Sequence, residues 1–166
     1  MLAIYRNLEM RILFFHGFES KLPSGKANWL QGEGYSVYAR PMEYDRPDAF
    51  LGALACAQEF KPDVIIGSSM GGYFASLVGT HLNTKLVLLN PALHSRTREY
   101  DHAPNGGYQP KVWALLGEND KIIEPEKSLE PLRLMKARIT LGPHAHQTPV
   151  DVFSGYMREI VDELMS

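Results

Sequence analysis

The chain has 166 residues, of which 45% are apolar, and its 17 basic and 19 acidic residues give a net charge of -2 at pH 7. That length and composition predict one domain with its own core, over residues 1–166. The chain has no Lys/Arg cluster of the kind that follows nucleic-acid phosphates, and no apolar run approaches the ~20 residues of a membrane span. We therefore expect neither a nucleic-acid partner nor insertion into a membrane. The start lacks the pattern of a signal peptide, which predicts a cytoplasmic protein.

Short apolar runs alternate with helix-like segments along the chain, which is typical of parallel β-α-β units. Residues 1–9 precede the first run and are interpreted as an extension. Residues 92–110 lack periodicity and are expected to form a loop or a minimal cap. The predicted strands are 11–15, 35–39, 63–67, 85–89, 112–116 and 137–141. The predicted helices are 47–60, 70–82 and a last helix that Thr148 can cap. The sequence therefore predicts an abbreviated α/β fold, with a mostly parallel sheet of about six strands and helices on both faces.

Residues 67–71 read Gly-Ser-Ser-Met-Gly and match the pattern G-x-S-x-G in one register only, with Ser69 at its centre. A predicted strand precedes the motif and a predicted helix follows it, as in the nucleophile elbow of a hydrolase. Gly67 and Gly71 would leave room for a serine that is held in a sharp turn. Ser69 is therefore the candidate nucleophile. A packing turn or a phosphate-binding helix start is the alternative.

The first predicted strand ends in His16-Gly17-Phe18. Acyl transfer passes through an oxyanion, which two preorganised backbone N–H groups can stabilise. We expect these to be the N–H groups of Phe18 and Met70. Gly17 and His16 would shape the loop, and His16 is interpreted either as a buried histidine bonded to backbone or as a direct participant.

An acidic residue and a histidine follow two later strands. Asp120 comes after the strand at 112–116, and His144 comes after the strand at 137–141. Because parallel strands end at one edge of their sheet, these side chains are expected to converge with Ser69 in the crevice there. Serine, acid and histidine also stand in the chain order of α/β-hydrolases. The sequence predicts a catalytic triad of Ser69, Asp120 and His144.

Both partners of the serine have competitors. Glu118 and Asp101 are alternative acids, and Asp120 is preferred because its short side chain, just beyond the turn, suits a fixed imidazole partner. His146 competes with His144, which is preferred because it directly follows a Gly-Pro turn. No third ligand accompanies the two histidines, so no metal is expected. The nucleotide-binding motifs are incomplete, and no cofactor is expected.

Five segments carry a resemblance to a known family: residues 12–18, 24–27, 67–73, 90–92 and 142–145. Through them the chain resembles the small YqiA-type bacterial esterases of the α/β-hydrolase superfamily. The resemblance implies a hydrolase with little or no lid, activity on small acyl esters or thioesters, and a triad on Ser69, Asp120 and His144. An acyl-CoA thioesterase or peptidase with the same triad, or a non-catalytic binding module with the same fold, remains an alternative.

The segment between Asn90 and Lys111 is short, whereas larger hydrolases often insert a helical cap there. Little chain is left to cover the crevice, so we expect a shallow acyl pocket. Because each unburied CH₂ would forfeit roughly 0.8 kcal/mol, the sequence predicts a preference for short acyl groups.

Overall fold

The computed structural model of the protein describes residues 10–18, 20, 22, 24–94 and 107–166. Its strands are β1 (Arg11–Phe15), β2 (Ser36–Arg40), β3 (Val64–Ser68), β4 (Lys85–Leu89), β5 (Val112–Gly117) and β6 (Arg138–Gly142). The helices in these ranges are α1 (Gly25–Gly32), α2 (Ala49–Phe60), α3 (Met70–Leu82), α4 (Pro125–Leu134) and α5 (Val150–Met165). The strands form one sheet in the order β2-β1-β3-β4-β5-β6, and every pairing is parallel. The predicted α/β fold is confirmed.

Helices cover both faces of this sheet, which explains why the central strands are apolar at almost every position. Successive side chains of a strand point to opposite faces, and the core is accordingly divided into two clusters. Leu13 belongs to the cluster that includes Phe50 of α2 and Phe74 of α3. Its neighbour Phe14 belongs to the cluster that includes Phe153 of α5. Each fully buried phenylalanine stabilises the fold by about 1.5–3 kcal/mol relative to an exposed one.

The predicted boundaries of β1, β4 and α3 agree with the structure, and those of the other predicted strands differ by one residue. Two helices were not predicted. Helix α1 is short and has glycine at both ends, although Ser24 caps it by accepting a bond from the Ala27 N–H. Helix α4 contains Pro131 in its interior, which disguises a helical pattern.

The start of α5 differs from the sequence prediction. The N-cap position is Pro149, and no side chain caps the helix. The expectation that Thr148 caps α5 is wrong, because the Thr148 hydroxyl is buried and donates to Asn90 Oδ1 at 3.4 Å. Thr148 therefore belongs to the interior of the site described below.

The sheet order places a topological switch at β1. The chain passes from β1 to β2 on one side and then crosses to β3 on the other side of β1. Ligands of open parallel sheets bind at the carboxyl ends of strands at such a point.

Across the described ranges, no helix combines the length and apolar character that crossing a lipid bilayer requires.

Candidate active site

Ser69 occupies the turn between β3 and α3, with φ 54° and ψ -117°. Residues other than glycine rarely adopt a positive φ, so the backbone at Ser69 is strained. A Cβ on Gly67 would lie 2.2 Å from the Gly71 carbonyl oxygen, and one on Gly71 would lie 2.2 Å from the Phe15 carbonyl oxygen. Gly67 and Gly71 are thus required by the close approach of backbone to backbone, which holds Ser69 at the edge of the sheet.

His16 is buried directly after β1 and is bonded to backbone on both sides of its ring. The Met42 N–H donates to Nε2 at 2.9 Å. The proton of the neutral ring is therefore on Nδ1, which donates to the Gly17 carbonyl oxygen at 2.6 Å. The Tyr44 hydroxyl donates to the carbonyl oxygen of His16. Of the two interpretations of His16, these bonds favour the one in which it shapes the loop.

The two backbone N–H groups expected to form an oxyanion hole belong to segments that adjoin Ser69. A Cβ placed on Gly17 would lie 3.6 Å from Ser69 Cβ, so the end of β1 is next to the nucleophile. The Gly17 carbonyl oxygen also accepts from the Ser20 N–H at 3.2 Å. Since a trans peptide fixes N–H opposite C=O, the direction of the Phe18 N–H is set as well. The Met70 N–H opens α3 and has no acceptor within that helix.

A continuous hydrogen-bonded chain joins Ser69, His146 and Asp120. His146 Nε2 lies 3.0 Å from Ser69 Oγ, and its Nδ1 lies 2.9 Å from Asp120 Oδ2. The other carboxylate oxygen, Oδ1, accepts from the N–H groups of Ile122 and Ile123, each at 2.9 Å. The structure therefore brings together a serine, an imidazole and a buried acid in the relation that nucleophilic catalysis requires.

The predicted position of the histidine is wrong, because His144 does not reach Ser69. Its Nε2 lies 3.1 Å from Asn90 Oδ1, and its ring packs beneath Gly142, where an added Cβ would be 2.6 Å from Nδ1. The first residue after the Gly-Pro turn thus points into the protein, and the chain needs two further residues before a side chain returns to the crevice. His146 fills the position that was assigned to His144.

Of the two candidate acids that the structure describes, Asp120 and Glu118, Asp120 is hydrogen-bonded to a histidine. It is 3% exposed, whereas Glu118 is exposed to solvent. Asp101 lies outside the described residues. The reason for the difference is that the Asp120 N–H donates to the Gly117 carbonyl oxygen at 3.1 Å, in a tight turn that directs the carboxylate inward.

The charge of Asp120 is set by opposing effects. Burial raises its pKa, but hydrogen bonds from Asn90, His146 and the N–H groups of Ile123 and Ile122 together hold the pKa below the ordinary value. The acid is therefore ionised at neutral pH. Burial lowers the pKa of His144, the Asp120 charge opposes that effect, and Lys26 adds to it. His144 is accordingly neutral at the same pH.

Sequence reasoning missed two polar residues of this site, Asn90 and Thr148. Asn90 follows β4, is 2% exposed, and donates from Nδ2 to Asp120 Oδ2 at 2.6 Å. The available signal was a polar residue immediately after an apolar strand, at the same edge of the sheet as Ser69. Thr148 gave no comparable signal, since a threonine before Pro149 is also typical of a helix start.

A cavity of about 360 Å³ opens near the start of β5 and is lined by residues such as Thr80, Tyr108 and Met135. It lies at the amino-terminal edge of the sheet, and strands of five residues separate it from Ser69 by roughly 17 Å. It is not part of the candidate active site.

Within the ranges that the structure describes, no three His, Cys, Asp or Glu residues are grouped so that they could hold a metal ion.

Comparison with known proteins identifies the family. Residues 11–105, which are more than half of the chain, match the model of the Uncharacterised protein family UPF0227. The chain belongs to UPF0227. The matched span includes the elbow of this UPF0227 protein and ends before Asp120 and His146. No curated protein matches the sequence.

Solved structures share the fold of this UPF0227 protein along nearly its whole length. A proposed hydrolase of the alpha/beta superfamily from Xanthomonas campestris pv. campestris is 20% identical, with a TM-score of 0.70 over 93% of this chain and 96% of that one. Est1E from Butyrivibrio proteoclasticus is 14% identical, with a TM-score of 0.68 over 94% and 88% of the two chains. The esterase domain of a Rhodothermus marinus protein is 14% identical, with a TM-score of 0.67 over 95% and 86%. The resemblance to the α/β-hydrolase superfamily is thus confirmed at the level of fold.

Proposed function

We propose that this protein is a serine hydrolase that cleaves small acyl esters or thioesters through an acyl-enzyme on Ser69. The observation that carries the proposal is the chain from Ser69 Oγ through His146 to Asp120, with links of 3.0 and 2.9 Å. These distances are within the range for proton transfer between a nucleophile and its base. The catalytic residues are therefore Ser69 and His146, with Asp120 as the acid that orients the imidazole.

The protonation states support a defined direction of proton transfer. Asp120 is ionised, so it accepts the Nδ1–H of His146 and leaves Nε2 with a free lone pair. Nε2 takes the Ser69 proton as Oγ attacks the acyl carbonyl carbon. The negative charge moves to the carbonyl oxygen, where the N–H groups of Phe18 and Met70 stabilise it.

Collapse of this tetrahedral intermediate completes acylation. The imidazolium of His146 donates its Nε2 proton to the leaving alcohol or thiol, and the acyl group stays on Ser69. His146 then takes a proton from water, whose oxygen attacks the acyl carbon, and the acid product leaves with Ser69 restored.

Residues 95–106 of the predicted minimal cap lie outside the described residues. The preference for short acyl groups therefore stays a prediction, as does the choice between oxygen and thiol esters. The cytoplasmic location expected from the sequence also stays a prediction.

A labelling experiment tests the proposal. A fluorophosphonate probe should label the wild type, and a p-nitrophenyl acetate assay should show turnover. Ser69→Ala should lose both, while Ser68→Ala is the matched control because it is Ser69, not the adjacent serine, that is hydrogen-bonded to His146. Continued turnover by Ser69→Ala would show that the nucleophile is elsewhere.

A second comparison separates the two histidines. His146→Ala should reduce kcat by roughly 10³- to 10⁴-fold, since it removes the general base. His144→Gln, which retains a donor at this position, should keep most of the activity. The reverse order of effects would return the role of the base to His144.

A further inference from the structure

Asn90 is the junction of the buried polar groups behind the candidate triad. It follows β4 with φ 43°, and its N–H donates to the Leu115 carbonyl oxygen at 3.0 Å. Its Nδ2 donates to Asp120 Oδ2 at 2.6 Å and lies 3.3 Å from the Ala145 carbonyl oxygen. Its Oδ1 faces His144 Nε2 at 3.1 Å. One side-chain amide therefore contacts Asp120, His144 and Ala145, and the last two residues directly precede His146.

The chemistry of the neighbours fixes which way the Asn90 amide points. An ionised carboxylate and a carbonyl oxygen can only accept hydrogen bonds, so the amide nitrogen must face Asp120 and Ala145. Oδ1 then faces His144 Nε2 at 3.1 Å and also accepts from the Thr148 hydroxyl at 3.4 Å. Since Oδ1 can only accept, Nε2 carries the proton of His144, and Thr148 Oγ1 lies 3.3 Å away as a second acceptor for it. The neutral ring has one proton, so Nδ1 of His144 has none, and this buried atom has no partner in the described part of the chain.

This arrangement explains why His144 cannot act as the base. In the required tautomer Nε2 carries the proton and has no lone pair, and Nδ1 is buried so close to Gly142 that a Cβ there would lie 2.6 Å from it. A proton on Nδ1 would place a second N–H in a dry space without an acceptor, which is unfavourable. The neutral donor form is the one that the site retains.

We propose that Asn90 is a positioning residue, which holds the Asp120 carboxylate in register with His146 and is itself oriented by the neutral His144. The inference rests on the proposed function, in which Asp120 orients the base. Oδ2 of Asp120 serves both Asn90 and His146, while Oδ1 serves the N–H groups of Ile122 and Ile123. Bonds to both oxygens stop rotation of the carboxylate. Without Asn90, His146 is the remaining partner of Oδ2 among the described residues, and the imidazole loses part of its preference for the Nδ1–H tautomer.

The test replaces Asn90 with glycine, which accepts the positive φ without strain. Asn90→Gly should lower kcat by roughly 10- to 100-fold, the range for one lost hydrogen bond to a charged group. KM should change by less than about threefold, because Asn90 is 2% exposed and lies behind Asp120. Asn83→Gly is the matched control, since Asn83 also has a positive φ, 53°, but ends α3 at the opposite edge of the sheet.

Nitrogen-15 NMR of the histidine rings gives a readout that a merely structural role would not change. In the wild type, His146 should be the Nδ1–H tautomer and His144 the Nε2–H tautomer. Asn90→Gly should give His146 a mixture of tautomers, while the amide spectrum of the rest of the chain stays folded. An Nδ1–H tautomer for His144 in the wild type would overturn the proposal.

His144 offers a conservative rescue. The side-chain NH₂ of glutamine can donate to Asn90 Oδ1, so His144→Gln should keep kcat within about threefold of wild type, whereas His144→Leu should lose roughly tenfold or more.

Equal activity of Asn90→Gly and wild type, with Ser69→Ala inactive, would refute the role of Asn90 and leave the proposed hydrolase function standing. If Ser69→Ala stays active, the proposed function fails, and the tautomers of His146 and His144 still decide the positioning role.

Discussion

Replacing Gly71 by alanine tests how tightly the elbow is packed on β1. The new Cβ would lie 2.2 Å from the Phe15 carbonyl oxygen and 2.5 Å from the His16 carbonyl oxygen. Carbon and oxygen rarely approach closer than about 3.3 Å, so the backbones must separate by roughly 1 Å. Strand β1 cannot yield easily, because Phe15 is paired with Arg40 of β2 on one side and with Gly67 of β3 on the other.

The expected cost follows from this geometry. Overpacking typically costs about 1–3 kcal/mol, and a clash with two consecutive backbone carbonyl oxygens belongs at the upper end. For a chain of this size, ~3 kcal/mol lowers Tm by roughly 6–12 °C. A displacement of roughly 1 Å between Ser69 and its donors should also reduce kcat/KM by about 100-fold.

Thermal unfolding followed by circular dichroism, with p-nitrophenyl acetate turnover below Tm, measures both effects. Gly155→Ala is the control, because this exposed position of α5 has nothing within 4 Å of the new Cβ. There alanine should stabilise the helix by about 0.5–1 kcal/mol. A Tm and a kcat/KM for Gly71→Ala equal to those of wild type would refute the steric reasoning about the elbow.

Three further predictions concern strain, pH and substrate length. Ser69→Gly should melt at a higher temperature than Ser69→Ala, because glycine relieves a positive φ that costs about 1–3 kcal/mol, and equal melting would show an unstrained elbow. The lowered pKa of His144 means that the unfolded chain binds more protons, so its contribution to stability is complete above the ordinary value of 6.5 and is lost as pH falls through the lowered folded value. Urea unfolding should therefore show the stability of wild type relative to His144→Gln decreasing with falling pH, and a difference that stays constant would contradict the buried neutral ring. In a series of p-nitrophenyl and coenzyme A esters, kcat/KM should stop rising at short acyl chains, whereas a rise that continues to dodecanoyl would indicate a deep acyl tunnel.

Most of the sheet could be predicted from the sequence because strands covered on both faces leave a local signature. Each of the four central strands is an apolar run that ends at a glycine or a polar residue. Helix α5 was predicted for a similar reason, since its buried residues recur with helical spacing. Helices α1 and α4 were missed because glycine and proline within or beside them obscure that spacing.

The elbow and the acid could also be predicted, since both depend on which residue types follow a strand. A serine between two glycines needs a sharp turn, and a parallel sheet brings every strand end to one edge. These arguments predict that Ser69 and Asp120 lie at the carboxyl edge of the sheet. The sheet order then brings the two residues close to each other.

What the sequence by itself determined is thus which strand ends carry the polar residues, because periodicity and strand boundaries are local properties of the chain. Only the tertiary structure decided between His144 and His146. The loop after β6 has no period, so counting residues from the strand end does not give the direction of a side chain. That direction depends on contacts distant in sequence: Asn90, from the end of β4, binds His144 in the interior, while Asp120, from the end of β5, binds His146 beside Ser69.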